Sequence, residues 1–114
     1  MKREQRLRSS ADYRRVRDVA RRGWPHPLLV VYVAANELGR TRVGITVSGR
    51  VGKAVVRNRV RRRLRAALDA RFDRLPPSAD IVVSARPASA EASWPELCAA
   101  LDSVLARAQA LGSR

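Results

Sequence analysis

The chain has 114 residues, with 24 Lys and Arg against 10 Asp and Glu, one Cys, one His and a formal net charge of +14. That length suits one compact domain with a single core, and 46% hydrophobic residues argue against a disordered tail. A lone Cys98 excludes an internal disulfide framework. The longest apolar run, Leu28 to Ala35, is too short to span a bilayer, and no apolar segment of the signal-peptide kind follows the basic N-terminus. The expectation is a cytoplasmic single domain over 1–114, with a basic tail at about 1–8 and no membrane partner.

The first predicted element starts at Ser9–Ser10 and stops at Gly23. Ser9 with Asp12 three residues on has the form of an N-cap pair, and Gly23 suits the C′ position. Tyr13, Val16 and Ala20 recur at helical spacing, with Arg14, Arg15, Arg17, Arg21 and Arg22 on the other faces. Trp24-Pro25-His26-Pro27 is non-helical, since each Pro pushes its predecessor into an extended conformation. Leu28 to Ala35 reads as a strand buried on both faces or nearly so. After a turn at Asn36–Gly39, Val43, Ile45 and Val47 alternate with Arg42, Gly44 and Thr46, a strand with one wet face. So short a connection predicts that the two strands are antiparallel neighbours.

A second helix is predicted from near Lys53 to about Leu75, ending before Pro76-Pro77. Asp80 to Ala85 is a third apolar strand. Ser93-Trp94-Pro95-Glu96 forms a capping box for a last helix that buries Leu97, Leu101, Val104, Leu105, Ala108 and Leu111, with Gly112 as its stop. Trp24 is expected to pack under its loop, Trp94 to serve the cap and Cys98 to pack as a small hydrophobe. The order is α-β-β-α-β-α with room for one more short strand, an α+β fold with helices on a sheet.

The charge is segregated. Residues 1–65 hold 19 Lys and Arg against 4 acids, and residues 66–114 hold 5 Arg against 6 acids. Apart from Lys2 and Lys53 every cation is Arg, whose planar fork grips phosphate in a bidentate manner and stacks on bases. A charge so concentrated repels itself and calls for a polyanion.

Residues 50–65 contain eight cations and no acid. On a helix, Val56, Val60, Leu64, Ala67 and Leu68 share one stripe that can pack on the sheet. Arg57, Arg61 and Arg65 form a row beside it, and Asn58, Arg62 and Arg59 continue round the exposed side. Like charges four apart destabilise a helix by ~0.2–0.5 kcal/mol per pair. With no acid interspersed, a phosphate-bearing partner is what relieves them, which favours RNA or DNA binding over a merely solvated face.

Lys53-Ala54-Val55-Val56-Arg57-Asn58-Arg59, continuing to Arg65, resembles the RNR signature of the protein subunit of bacterial ribonuclease P. Val43 to Ser48 and Arg50-Val51-Gly52 are similar to the strand and loop that precede it in that family. Leu7-Arg8 and Asp12 to Val16 fit its N-terminal helix, and Asp80 to Val83 with Arg86-Pro87 its later strand, so the likeness covers about residues 6–108. The resemblance implies a two-layer α/β sandwich of αβββαβα order, ribosomal-protein-like, with a central mixed four-stranded sheet and a left-handed β-α-β crossover. It implies a non-catalytic subunit that pairs 1:1 with a catalytic RNA and assists removal of the 5′ leader from precursor tRNA. No small molecule is expected as substrate. Mg²⁺ is then required by the RNA-containing holoenzyme, with no cofactor on the protein itself.

Carried over residue by residue, the RNA-subunit contacts are Lys53, Arg57, Asn58, Arg59, Arg61, Arg62 and Arg65. The leader contacts are Tyr13, Arg17, Tyr32 and Arg50, in a cleft between the N-terminal helix and the sheet. Arg17 stands where the family usually has a second aromatic, and a guanidinium can also stack on a base. Gly49 stands where Lys is common. The residues themselves offer little for catalysis: His26 is wedged between prolines, and Asp69 and Asp73 sit among Arg71 and Arg74 as ordinary helix-surface pairs. A ribosomal-type or ribosome-associated RNA-binding protein is the alternative, and a DNA-binding protein is weaker because the Arg-rich helix lacks a dimer seam.

Overall fold

The computed structural model describes residues 1–112, with side chains described through residue 108. Helix α1, Ser10–Ala20, opens where Ser9 Oγ accepts the Asp12 amide at 3.1 Å, satisfying one of the unpaired amides of the first turn. It ends before Gly23, because Arg21 itself turns left-handed at φ 55° and closes the last turn onto the Arg17 carbonyl. Gly23, at φ +66°, is used instead to turn the chain toward the sheet, where a Cβ would lie 2.8 Å from Tyr32 Cδ1. Trp24–Pro25 then forms β1, the extra short strand for which the sequence had room.

The other strands are β2, Leu29–Ala35, β3, Arg42–Val47, and β4, Ala79–Ala85. Their order in the sheet is β1-β2-β4-β3, with β4 antiparallel to β2 and parallel to β3. The expectation that β2 and β3 are antiparallel neighbours is therefore wrong: β4 inserts between them. β4 is buried at every position but Ser84, and the most apolar strand gains most from the central place, where both edges are paired. The 36–40 loop consequently crosses the start of β4. Asn36 N donates to the Ser78 carbonyl at 2.9 Å, and Ser78 Oγ donates to the Asn36 carbonyl at 2.9 Å.

Helix α2, Ala54–Ala70, connects the parallel pair β3 and β4. It stops short of the expected Leu75, and Phe72–Arg74 form a 3₁₀ turn instead. Arg71 accounts for the stop: its Nη1 donates to the Ala67 carbonyl at 2.9 Å while Nε donates to Asp102 Oδ1 at 2.5 Å. Arg71 thus reaches across to the next helix and does not pair with Asp69 or Asp73 as expected. That helix, α3, Trp94–Gly112, has the predicted box, with Ser93 N donating to Glu96 Oε1 at 2.8 Å and Glu96 N to Ser93 Oγ at 3.2 Å. Trp94 takes no part in it and is 41% exposed.

Alternation divides the strands between two faces. On one, Leu29, Val31, Val43, Val47, Ile81 and Val83 pack against Val60, Leu64 and Leu68 of α2 and Leu97, Leu101 and Val104 of α3. Leu105 and Ala108 of α3 are buried as expected, and the Leu111 side chain lies outside the described residues. Trp24 and Cys98 are part-buried against this core. On the other face α1 adds a smaller cluster of Leu7, Val16, Ala34 and Val82, flanked by Tyr13 and Tyr32. The two-layer sandwich of sheet with α2 and α3 is thus partly backed by α1. Strand β2 is correspondingly not buried on both faces, since Val30 and Tyr32 are half-exposed on the α1 side. No helix among the described residues is long and apolar enough to cross a membrane.

Candidate nucleic-acid interface

The α1 face of the sheet carries three cross-strand rows: Ala34, Asp80 and Arg42; Tyr32, Val82 and Gly44; Val30, Ser84 and Thr46. Helix α1 covers the first two and leaves the third half-exposed, which makes a cleft floored by Val30 and Ser84, with the Thr46 hydroxyl itself buried. Tyr13 from α1 lies directly on Gly44. A Cβ there would stand 2.4 Å from Tyr13 Cε1, so the absence of a side chain lets the ring approach the strand. Arg17, one turn on, lies over the Tyr32 ring with its Cζ 5.2 Å from the centroid, a cation–π arrangement. Three of the four leader candidates, Tyr13, Arg17 and Tyr32, are thereby brought to one place. Arg50 stands apart from them, exposed on the loop beyond the far end of β3.

Helix α2 presents the other set. Val60, Leu64, Ala67 and Leu68 form its buried stripe and Val56 is half-buried beside them. Lys53, Asn58, Arg62 and Arg65 are exposed, and Arg57 and Arg61 are half-buried along the stripe. Arg61 Nη1 donates to Asn58 Oδ1 at 3.0 Å, so the asparagine orients its neighbour. Arg59 is not on the exposed side as expected. Its Nη2 donates to the Ala90 carbonyl at 3.1 Å, and Arg63 Nη1 does the same to Ala92, both in the stretch before α3. None of Lys53, Arg57, Arg59, Arg61, Arg62 or Arg65 pairs with an acid among the described residues. The two sets meet at the edge of β3, where a cavity of about 80 Å³ is lined by Tyr13, Gly44, Ile45 and Arg65.

One residue of this region escaped the sequence reading. Asp80 is fully buried on the first row and accepts from four donors: Asn36 Nδ2 at 2.8 Å, Arg42 Nε at 3.0 Å, Arg42 Nη2 at 2.8 Å and Arg15 Nη2 at 2.5 Å. Burial pushes its carboxyl up, but the hydrogen bonds from Arg42, Asn36 and Arg15 outweigh that and hold it below the ordinary carboxylate value. The signal was available as an acid opening an otherwise apolar strand. His26 has a simpler use: its Nδ1 accepts the Leu28 amide at 3.0 Å and holds the turn into β2.

Comparison with known proteins identifies the family. A family model described as Ribonuclease P matches residues 1–109. The chain belongs to the ribonuclease P protein family. The ribonuclease P protein component of Herpetosiphon aurantiacus is 41% identical over 109 residues, 96% of this chain and 88% of the relative. That of Pseudarthrobacter chlorophenolicus is 47% identical over 108 residues, 90% of this chain and 78% of the relative. The solved RNase P protein of Staphylococcus aureus superposes with a TM-score of 0.84 at 28% identity, covering 92% of this chain and 95% of that one. The protein from Thermotoga maritima gives 0.80 at 25% identity, covering 90% and 96%. Membership in the ribonuclease P family implies a part in the ribonuclease P holoenzyme and in tRNA processing, with the ribonuclease P RNA as partner. It sets aside the ribosomal-type alternative.

Proposed function

We propose that the protein is the non-catalytic subunit of the holoenzyme: α2 holds the catalytic RNA while the α1 cleft receives the 5′ leader of precursor tRNA. The carrying observation is that Arg65 of the acid-free arginine face and Tyr13 of the α1 cleft line one cavity at the edge of β3. On α2, Lys53, Arg57, Arg61, Arg62 and Arg65 meet phosphates of the RNA subunit with Asn58 among them, and Arg59 contributes from its partly committed position. In the cleft, Tyr13 and Tyr32 give π faces that accept any base, each stack worth ~1–3 kcal/mol. Arg17 adds charge and a second stacking plane, and Arg50 follows the leader phosphates beyond the sheet. Stacking tolerates any sequence, which suits a protein that serves many precursors.

Mg²⁺ belongs to the RNA in this reading. Among the described residues no group of three or more His, Cys, Asp or Glu is placed to hold a metal ion. The complex is 1:1 and cytoplasmic. Cleavage of a 5′-extended precursor tRNA at low Mg²⁺, by ribonuclease P RNA alone, by the protein alone and by both, tests it. Correct cleavage only with both is expected. No stimulation by folded protein with matched RNA, or cleavage by purified protein alone, would overturn it.

A further inference from the structure

We propose that Asp80 is a positioning residue: it sets α1 over the sheet and withdraws Arg15 and Arg42 from RNA, so that leader recognition in the α1 cleft is left to Tyr13, Arg17 and Tyr32. The inference rests on the leader reading above. Asp80 is the shared acceptor of three segments, and of these only α1 is not already held to β4 by backbone hydrogen bonds. Arg15 comes from α1, Arg42 from the edge strand β3 and Asn36 from the loop that crosses β4. Arg42 also stands 3.7 Å from Asp12 of α1, so the helix is tied at two points one turn apart. Tyr13 and Arg17 lie within two residues of Arg15 on the same rigid helix, and a rotation or slide of α1 would carry both off the cleft.

The same contact sorts the arginines. Arg15 is 42% exposed, so its guanidinium is within reach of a phosphate, yet it is bonded to a fully buried carboxylate. Arg42 is held by two hydrogen bonds to that carboxylate. Among the described residues Arg17 is paired only with an aromatic ring. A buried acid thus decides which cations beside the cleft are spent on the fold and which face the RNA.

Asp80→Asn keeps the shape but cannot keep the contacts. All three neighbours are donors, so the new amide nitrogen faces donors in a dry site, a penalty comparable to a buried unmade hydrogen bond. The test uses the reconstituted holoenzyme and compares affinity for leader-bearing precursor tRNA with affinity for the leaderless tRNA. For Asp80→Asn the leader-dependent gain falls about tenfold, the worth of part of one base stack. At the same time leaderless tRNA binds more tightly and with a salt dependence steeper by about 0.7 per phosphate gained, because Arg15 and Arg42 are released. Arg15→Gln leaves Asp80 bonded to Arg42 and Asn36 and serves where Asp80→Asn does not fold. It reduces the leader-dependent gain about threefold, a smaller loss because one of two ties to α1 remains, with affinity for the RNA subunit unchanged.

Equal weakening of both tRNAs, or a loss confined to RNA-subunit affinity, would mean that Asp80 only supports the fold and would overturn the inference. An unchanged leader-dependent gain in Arg15→Gln overturns it as well. A wild-type holoenzyme with no leader-dependent gain would overturn the leader reading itself, and this inference with it.

Discussion

The two faces of the sheet are built on different principles. The face toward α2 and α3 is a continuous apolar core in which Leu29, Leu64, Leu68, Ile81, Leu97 and Leu101 are fully buried. The face toward α1 has a core of four residues, a buried charge network and a row left half-open. Apolar packing is non-directional and tolerates substitution by volume, so it is suited to holding the fold. A carboxylate shared by two guanidiniums and an amide is directional, and it fixes where one element lies relative to another. The molecule gives the burden of stability to one side of the sheet and the burden of geometry to the other.

Substitutions should separate the two burdens. The largest effect is expected for Leu64→Ala, fully buried on the closed face, at about 2–5 kcal/mol of stability in urea unfolding. Its consequence for RNA should be no more than the loss of folded protein. Gly44→Ala attacks the open face: the new Cβ would fall 2.4 Å from Tyr13 Cε1 and displace the ring. A cost of about 1–3 kcal/mol is expected, together with loss of discrimination between leader-bearing and leaderless tRNA. Retained discrimination would place the leader elsewhere. Arg61→Ala should leave stability within about 0.5 kcal/mol. It should weaken binding of the RNA subunit about tenfold and make its salt dependence shallower by ~0.7–0.9, and an unchanged salt dependence would remove Arg61 from the interface.

The smallest effect concerns acid. The hydrogen bond from Arg71 holds the Asp102 carboxyl below its ordinary value. Between the two values the unfolded chain binds a proton that the folded chain does not, so stability rises with pH there. This contribution is complete above about pH 5, where the unfolded carboxyl is almost fully ionised, and is lost as pH falls through the folded value. Because Asp102 is half-exposed, Asp102→Asn should cost under about 1 kcal/mol at neutral pH and flatten the acid limb of the stability profile. An acid limb identical to wild type would show that the Arg71 contact does not persist in solution.

Much of this was legible in the residues. The alternation in β3, the stripe from Val60 to Leu68 and the Ser93–Glu96 box depend on local spacing, and each formed where expected. Strand order was not legible in the short Asn36–Thr41 connection, because β4 comes later in the chain and competes for the same edges. The row Arg57, Arg61 and Arg65 was readable from periodicity, whereas the tie of Arg59 to Ala90 depends on where a distant turn comes to rest. Tyr13 shows the limit most clearly. Its place on an apolar helix face suggested core as readily as contact, and its resting point on Gly44 follows from a pairing between elements thirty residues apart that no local pattern encodes.

The central place of β4 has a consequence for how the molecule is made. Synthesis proceeds from the N-terminus, and β2 and β3 are finished well before residues 79–85 exist, yet each has β4 as its long-range partner. Until that strand arrives, β2 has only the two-residue β1 beside it, and the edge of β3 has the single bridge from Arg6 to Val43. The sheet therefore cannot grow strand by strand behind the ribosome. It must close in a late, non-local event, the kind that folds slowly because loop closure comes before the contacts that reward it.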